Sequence, residues 1–139
     1  MRVLVPYDGS ELSEKAVEHA LERYDDAEIV LLHVLDFVSA GYEAPPEAAL
    51  PGYWADWYGE AEESAETMLE EVTDAYDATF ATETVVGRPA RIILDHAEQE
   101  DVDAVVVGSH GREGISRILL GSVAETVVRR SPVPVTVVR

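Results

Sequence analysis

The chain has 139 residues, 47% of them hydrophobic, and a formal net charge of −18. That length fits one compact domain, and that apolar fraction fits a packed core rather than a disordered chain. The absence of cysteine excludes disulfides, thiolate chemistry and Cys-ligated metals; no apolar run approaches the ~20 residues that span a bilayer; and the acid excess leaves no overall basic footprint for nucleic acid.

Residues 2–7 (Arg-Val-Leu-Val-Pro-Tyr) predict a short buried strand. The run is too short for a signal-peptide core and meets Asp8 at once, so a cytoplasmic protein is expected. Asp8-Gly9-Ser10 is a turn sequence. Ser10 is a good N-cap, and Leu12, Ala16, Val17, Ala20 and Leu21 recur at helical spacing. Residues 28–35 (Glu-Ile-Val-Leu-Leu-His-Val-Leu) predict a second buried strand. Gly41, Pro45, Pro46, Pro51 and Gly52 interrupt residues 36–57, which read as irregular. A long acidic helix is expected over about 59–77, with Ala61, Ala65, Met68, Leu69 and Val72 facing the core. A third strand over 79–86, a helix over 89–100, a fourth strand over 103–108, a helix over about 117–130 and a last strand over 132–138 complete the chain.

Strands that are near-continuous Val/Ile/Leu runs, alternating with helices, predict a parallel sheet covered on both faces. The fold class is therefore a single three-layer α/β/α sandwich of five strands, with residues 1–139 as one domain. Ligands of such sheets lie beyond the carboxyl ends of the strands, where the winding direction reverses. Chemistry is thus expected after strands one and four, at Asp8 and Gly108.

The charge is uneven. Twenty-eight acids face ten bases, and Lys15 is the one lysine. Acid excess with lysine depletion fits a surface tuned to high salt; an acidic face for a cationic partner is the alternative. Residues 1–87 hold 21 acids and 3 bases, whereas residues 88–139 hold 7 of each. The stretch from Gly108 to Arg139 has two acids and five arginines. One segment of a very acidic chain is thus hospitable to an anion, unless the arginines only mark helix ends.

The strongest local signal is Gly108-Ser109-His110-Gly111, followed after nine residues by Gly121-Ser122. Glycines let backbone approach a ligand closely, successive N–H groups make an anion nest, and a helix N-terminus adds positive partial charge. Ser109 and Ser122 add hydroxyls. This is the chemistry of a phosphate cradle, although neither the Walker loop nor the dinucleotide fingerprint is present. The alternative is a glycine-rich turn that only bends the chain. Asp8 can accept hydrogen bonds from a ribose or an adenine amine, or it can simply stabilise the turn.

With these residues in view, the chain resembles the nucleotide-binding branch of the universal stress protein family. That family's pattern is Gly, two residues, Gly, nine residues, Gly, then Ser or Thr, which Gly108, Gly111, Gly121 and Ser122 match. Val3 to Ser10, Leu31 to Val34, Val86 to Pro89 and Pro132 to Val135 follow the family's order. The resemblance implies a Rossmann-like sheet of order 3-2-1-4-5 with ATP, or ADP or AMP, at the switch between strands one and four, and Mg²⁺ arriving with it. By position, Pro6, Tyr7 and Asp8 line the adenosine end and Val34 offers backbone to the adenine. Val107 and Gly108 flank the ribose. Ser109, His110, Gly111, Arg112, Gly121, Ser122 and Val123 surround the phosphates. The resemblance also implies a homodimer through the last strand, Val133 to Val138; a protein partner is expected but unidentified, and composition points to no membrane or nucleic-acid role. Tyr7 is larger than the family's usual residue, which implies a reshaped adenosine pocket.

Phe37, Tyr42, Tyr53, Trp54, Trp57 and Tyr58 gather in the variable segment. They read as a satellite cluster anchoring a loop, with a lid over the base or a dimer contact as alternatives. His33 reads as a satisfied core histidine. His19 and His96 lack ligand-spaced partners, so no resident metal is expected. The functional expectation is a stress-response regulatory or signalling module that binds ATP. The alternatives are a slow ATPase or phosphotransferase, with His110 as base and Arg112 or Arg117 stabilising charge, a protein-only stress factor, and a flavodoxin-like module.

Overall fold

The computed structural model describes residues 1–110 and 120–139. In chain order the elements are β1 (Arg2–Pro6), α1 (Glu11–Arg23), β2 (Glu28–Leu35), α2 (Phe37–Tyr42), a 3-10 turn (Pro46–Ala49), α3 (Tyr53–Ala75), β3 (Phe80–Val86), α4 (Pro89–Gln99), β4 (Ala104–Gly108), α5 (Ser122–Arg130) and β5 (Val135–Val138). All strand pairings are parallel, and the order is β3-β2-β1-β4-β5. No helix among the described residues is long and apolar enough to cross a membrane.

The alternation along β1 explains the layers. Val3, Val5 and Tyr7 join Ala16, Val17 and Ala20 of α1 and Leu69 and Val72 of α3 in one core. Leu4 joins Ile93 and Ala97 of α4 and Ala124 and Val127 of α5 in the other. A strand with helices on both faces has no solvent face, so Val-Leu-Val and Val-Leu-Leu runs are what it requires. The switch point sits between β1 and β4. Val3 aligns with Ala104 and Leu4 with Val105, while β2 and β3 lie on one side and β5 on the other.

Four strands and α4 match the expected bounds within a residue. The segment 36–57 is more ordered than expected. Asp36 caps α2 by accepting from the Ser39 N–H at 3.1 Å, and α3 starts at Tyr53. The last true breakers are Pro51 and Gly52, the latter at φ 86, where glycine is favoured. The helix expected over about 59–77 thus begins six residues early and ends at Ala75, with Gly59 inside it, where a glycine costs only about 1 kcal/mol. The last strand is shorter than expected. Pro132 and Pro134 lack donors, and the Ser131 hydroxyl donates to the Val133 carbonyl in a local turn. The helix expected over 117–130 is α5, beginning at Ser122; residues 117–119 lie outside the described residues.

Leu4 is fully buried beside Val30, Ile93 and Val105. Leu4→Ala should destabilise the protein by about 2–5 kcal/mol. Urea unfolding should show a lower midpoint at an unchanged m-value.

Candidate functional site

The carboxyl ends of β1 and β4 are tied down by backbone. The Tyr7 N–H donates to the Leu32 carbonyl at 2.8 Å. His33 Nδ1 lies 2.8 Å from the Tyr7 carbonyl. A carbonyl only accepts, so this contact puts the proton on Nδ1. His33 is therefore satisfied, as expected, though it is half-buried and clamps the end of β1.

Asp8 begins the next turn. Its Oδ1 accepts from the Ser10 N–H at 2.9 Å, and Gly9 takes φ 79. Ser10 then caps α1 by accepting from the Ser13 N–H at 3.2 Å, and the Ser13 hydroxyl donates to the Ser10 carbonyl at 2.9 Å. The turn role read for Asp8 is therefore present.

At the end of β4, Gly108 aligns with Val138, and the Ser109 N–H donates to the Val138 carbonyl at 2.8 Å. Ser109 is buried, with its hydroxyl 3.4 Å from His110 Nδ1. The Ser109 carbonyl accepts from the Gly121 N–H at 2.7 Å, which fastens the start of α5 to the end of β4. Both glycines serve close approach. A Cβ on Gly108 would lie 3.0 Å from Leu12 Cβ and 3.2 Å from its backbone. A Cβ on Gly121 would lie 2.9 Å from His110 Cβ and 3.0 Å from the Ser109 carbonyl. Gly121 has an ordinary φ of −65, so it is space and not dihedral freedom that requires glycine there.

Gly121 also precedes α5 without any side-chain cap. The first N–H groups of a helix have no intrahelical acceptor, and the helix dipole makes that end positive. Ser122, exposed, and Val123, half-buried, stand at this end. The expected phosphate residues Ser109, His110, Gly121, Ser122 and Val123 thus converge where β4 meets α5. Gly111 and Arg112, with Arg117, lie outside the described residues.

The expected adenosine residues divide between the two faces. Val107 is buried in the core beneath α4 and α5, and Val34 packs against the same core. Pro6 is half-buried. Tyr7 turns to the other face, where it is 5% exposed beside α1, with its hydroxyl 3.5 Å from Glu14 Oε1. The structure does not bring the Tyr7 ring together with Val34 and Val107. The ring instead lines a cavity of about 1160 Å³ between α1 and α3, with Glu14, His33, Glu60 and Met68. Glu14, one turn beyond Ser10 in α1, is exposed yet borders this cavity and approaches the Tyr7 hydroxyl. His96 also has a partner that spacing did not suggest, Glu83 of β3, at 2.6 Å. Among the described residues no group of three metal-ligating side chains converges.

This is a parallel α/β sandwich with an uncapped helix end and a glycine-serine turn at its switch point. A model of the universal stress protein family matches residues 1–139. The protein MJ0531 of Methanocaldococcus jannaschii, a universal stress protein, is 34% identical over 99% of this chain and 81% of its own length. The solved structure of the protein MJ0577, from the same organism, superposes with a TM-score of 0.81 at 34% identity, covering 99% of this chain and 94% of that one. A universal stress protein of Archaeoglobus fulgidus, solved in complex with dAMP, has the same fold at a TM-score of 0.64 and 23% identity, over 100% of this chain and 98% of that one. The chain belongs to the universal stress protein family.

Burial, and next the Glu14 carboxylate, push the Tyr7 hydroxyl from its ordinary 10.0 up to about 12. The native state therefore keeps a proton that the unfolded chain releases. The resulting stability is full below pH 10 and is lost as pH rises through about 12. Tyr7→Phe removes the titrating group. Guanidinium unfolding measured across that window should fall less steeply with pH in the variant than in the wild type.

Proposed function

We propose that this protein binds an adenine nucleotide, ATP with its Mg²⁺, at the β1–β4 switch point, and acts as a stress-response regulatory module through nucleotide-dependent dimer or partner contacts. The observation that carries this reading is the uncapped start of α5, held against the β4 end by the 2.7 Å Gly121–Ser109 bond, with β4 paired to β1, the strand that leads to Asp8. The donor set fits a polyphosphate: helix N–H groups, the Ser122 hydroxyl and glycine backbone need no charged side chain to hold an anion. A protein of the same fold that holds dAMP supports the class of ligand. On this reading Asp8 meets the ribose or adenine, Val34 and Gly108 offer backbone, and Gly111 and Arg112 complete the phosphate loop.

Mg-ATP titrated calorimetrically in molar KCl should give saturating heat with a Kd near or below micromolar, worth about −8 kcal/mol. Gly121→Val should lower that affinity at least about tenfold, because the side chain displaces the Ser109–His110 backbone. Asp8→Ala should weaken ATP while leaving inorganic triphosphate binding intact. Wild-type affinity in Gly121→Val would remove the cradle from consideration, and parallel losses in Asp8→Ala would reduce that residue to a turn former. A sustained heat offset after each injection would mark turnover and favour the slow ATPase.

The reading includes a homodimer along Val133 to Val138. β5 is the sheet edge beside β4, and its residues are half-buried. The carbonyls of Pro134 and Val138 accept from Val105 and Ser109 of β4, so by strand alternation Val135 and Val137 direct their backbone groups outward. Val135→Pro deletes one outward donor and spares the β4 ladder. Sedimentation should give twice the 15.2 kDa chain mass for the wild type and the single-chain mass for the variant.

A further inference from the structure

The first half of α3 is built differently from the second. Its buried residues are Ala65, Leu69 and Val72. Residues 53–64, about 18 Å of helix at 1.5 Å per residue, include no buried residue. Yet they begin with four aromatics at positions 53, 54, 57 and 58, the spacing of one helix face. Tyr53 and Trp54 meet edge-on at 5.1 Å, and Trp54 and Trp57 at 5.7 Å. Trp54 is 38% exposed and Tyr58 43%. Leu50 and Tyr42, just before α3, are exposed further still. A satellite cluster that merely anchored a loop would bury its rings. This one keeps them against solvent, as interaction surfaces do.

Charge decides what covers it. Residues 24–87 contain 16 acids and no lysine or arginine. Two copies meeting through this face would press like charges together, and an anionic lipid surface would be repelled in the same way. The face also lies on the β3 side of the sheet, away from the β5 edge, so the dimer proposed above leaves it open. One α-helical turn beyond Tyr58, Glu60 and Ala61 enter the lining of the 1160 Å³ cavity, which also contains Glu14, Glu63 and Glu71. Aromatic surface therefore runs directly into an acid-lined hollow.

We infer that the aromatic start of α3 and the adjoining cavity form a docking surface for a basic amphipathic segment of another protein. Apolar side chains of that segment pack on Trp54 and Tyr58. Its lysines and arginines lie over the indole faces and reach the glutamates with their long stems. The cavity reaches Tyr7 and Gly9 at the end of β1; the inference rests on the aromatic face of α3 and its charge, and not on the nucleotide reading.

Trp54 and Trp57 are the two tryptophans of the chain, so intrinsic fluorescence reads this face alone. The probe is a synthetic amphipathic helix of ~18 leucines and lysines. It should shift the tryptophan emission to the blue, saturably, and less so as salt rises. With a dye on the peptide, anisotropy should show at least about tenfold weaker binding to Trp54→Ala/Tyr58→Ala. Both side chains are partly exposed, and circular dichroism should show the variant folded. A lysine–serine peptide of equal charge should bind at least tenfold more weakly than the leucine–lysine one. Equal binding of the two peptides, or undiminished binding by the double variant, would overturn the inference in favour of bulk electrostatics. Self-association abolished by the double variant would make a second copy the occupant, and an equal blue shift with phosphatidylcholine vesicles would make it a lipid surface. Either result would also overturn the inference.

Discussion

The pairing of β1 with β4 is the constraint on which the rest depends. The two strands are a hundred residues apart in sequence, and each is buried on both faces, so neither has a solvent-facing side chain to spare. Function is forced to the strand ends. The register that sets Val3 against Ala104 brings the turn at Asp8 and the turn at Gly108 out at one edge of the sheet. The close contact of Gly108 with Leu12 then fixes α1 across the end of β4, and the Gly121–Ser109 bond fixes α5 on the other side. A chain that lost this pairing would lose the juxtaposition that makes a site.

Much of this was legible before the structure. Continuous Val/Leu runs separated by helical periodicities point to a doubly covered parallel sheet, because no other arrangement hides such strands. Ser10 announced the start of α1 and does cap it. What could not be read was the direction of single side chains. Tyr7 follows β1 directly and was grouped with Pro6 and Asp8, but the two-residue period of a strand sends its ring under α1. Gly121 was legible as a required glycine. Its neighbours, the His110 Cβ and the Ser109 carbonyl at the end of β4, stand eleven to twelve residues away in sequence, which no local pattern encodes.

The segment 36–58 shows a different limit. Prolines and glycines mark where a helix is unfavourable, not how soon one resumes. After Pro51 and Gly52 the chain enters α3 at once, with aromatics in its first two turns. Aromatics at i, i+1, i+4 and i+5 are ambiguous in sequence, since the same stripe serves a core or an interface. Burial separates the two, and here the stripe stays partly in water.

The two proposed surfaces divide the chain's charge between them. The start of α5 belongs to the half in which acids and bases balance, and the aromatic face belongs to the half that carries the whole −18. Salt must act on them in opposite senses. A polyphosphate approaching any part of this molecule meets net repulsion, which added salt relieves. A cationic segment approaching α3 is drawn in by the same field, and salt removes that attraction, leaving the aromatic packing. On these proposals the salt concentration and a cationic partner act on the same acidic charges. On the two proposals, high ionic strength favours the approach of an anion to the start of α5 and reduces the α3 face to its apolar contacts. At low ionic strength the ranking reverses.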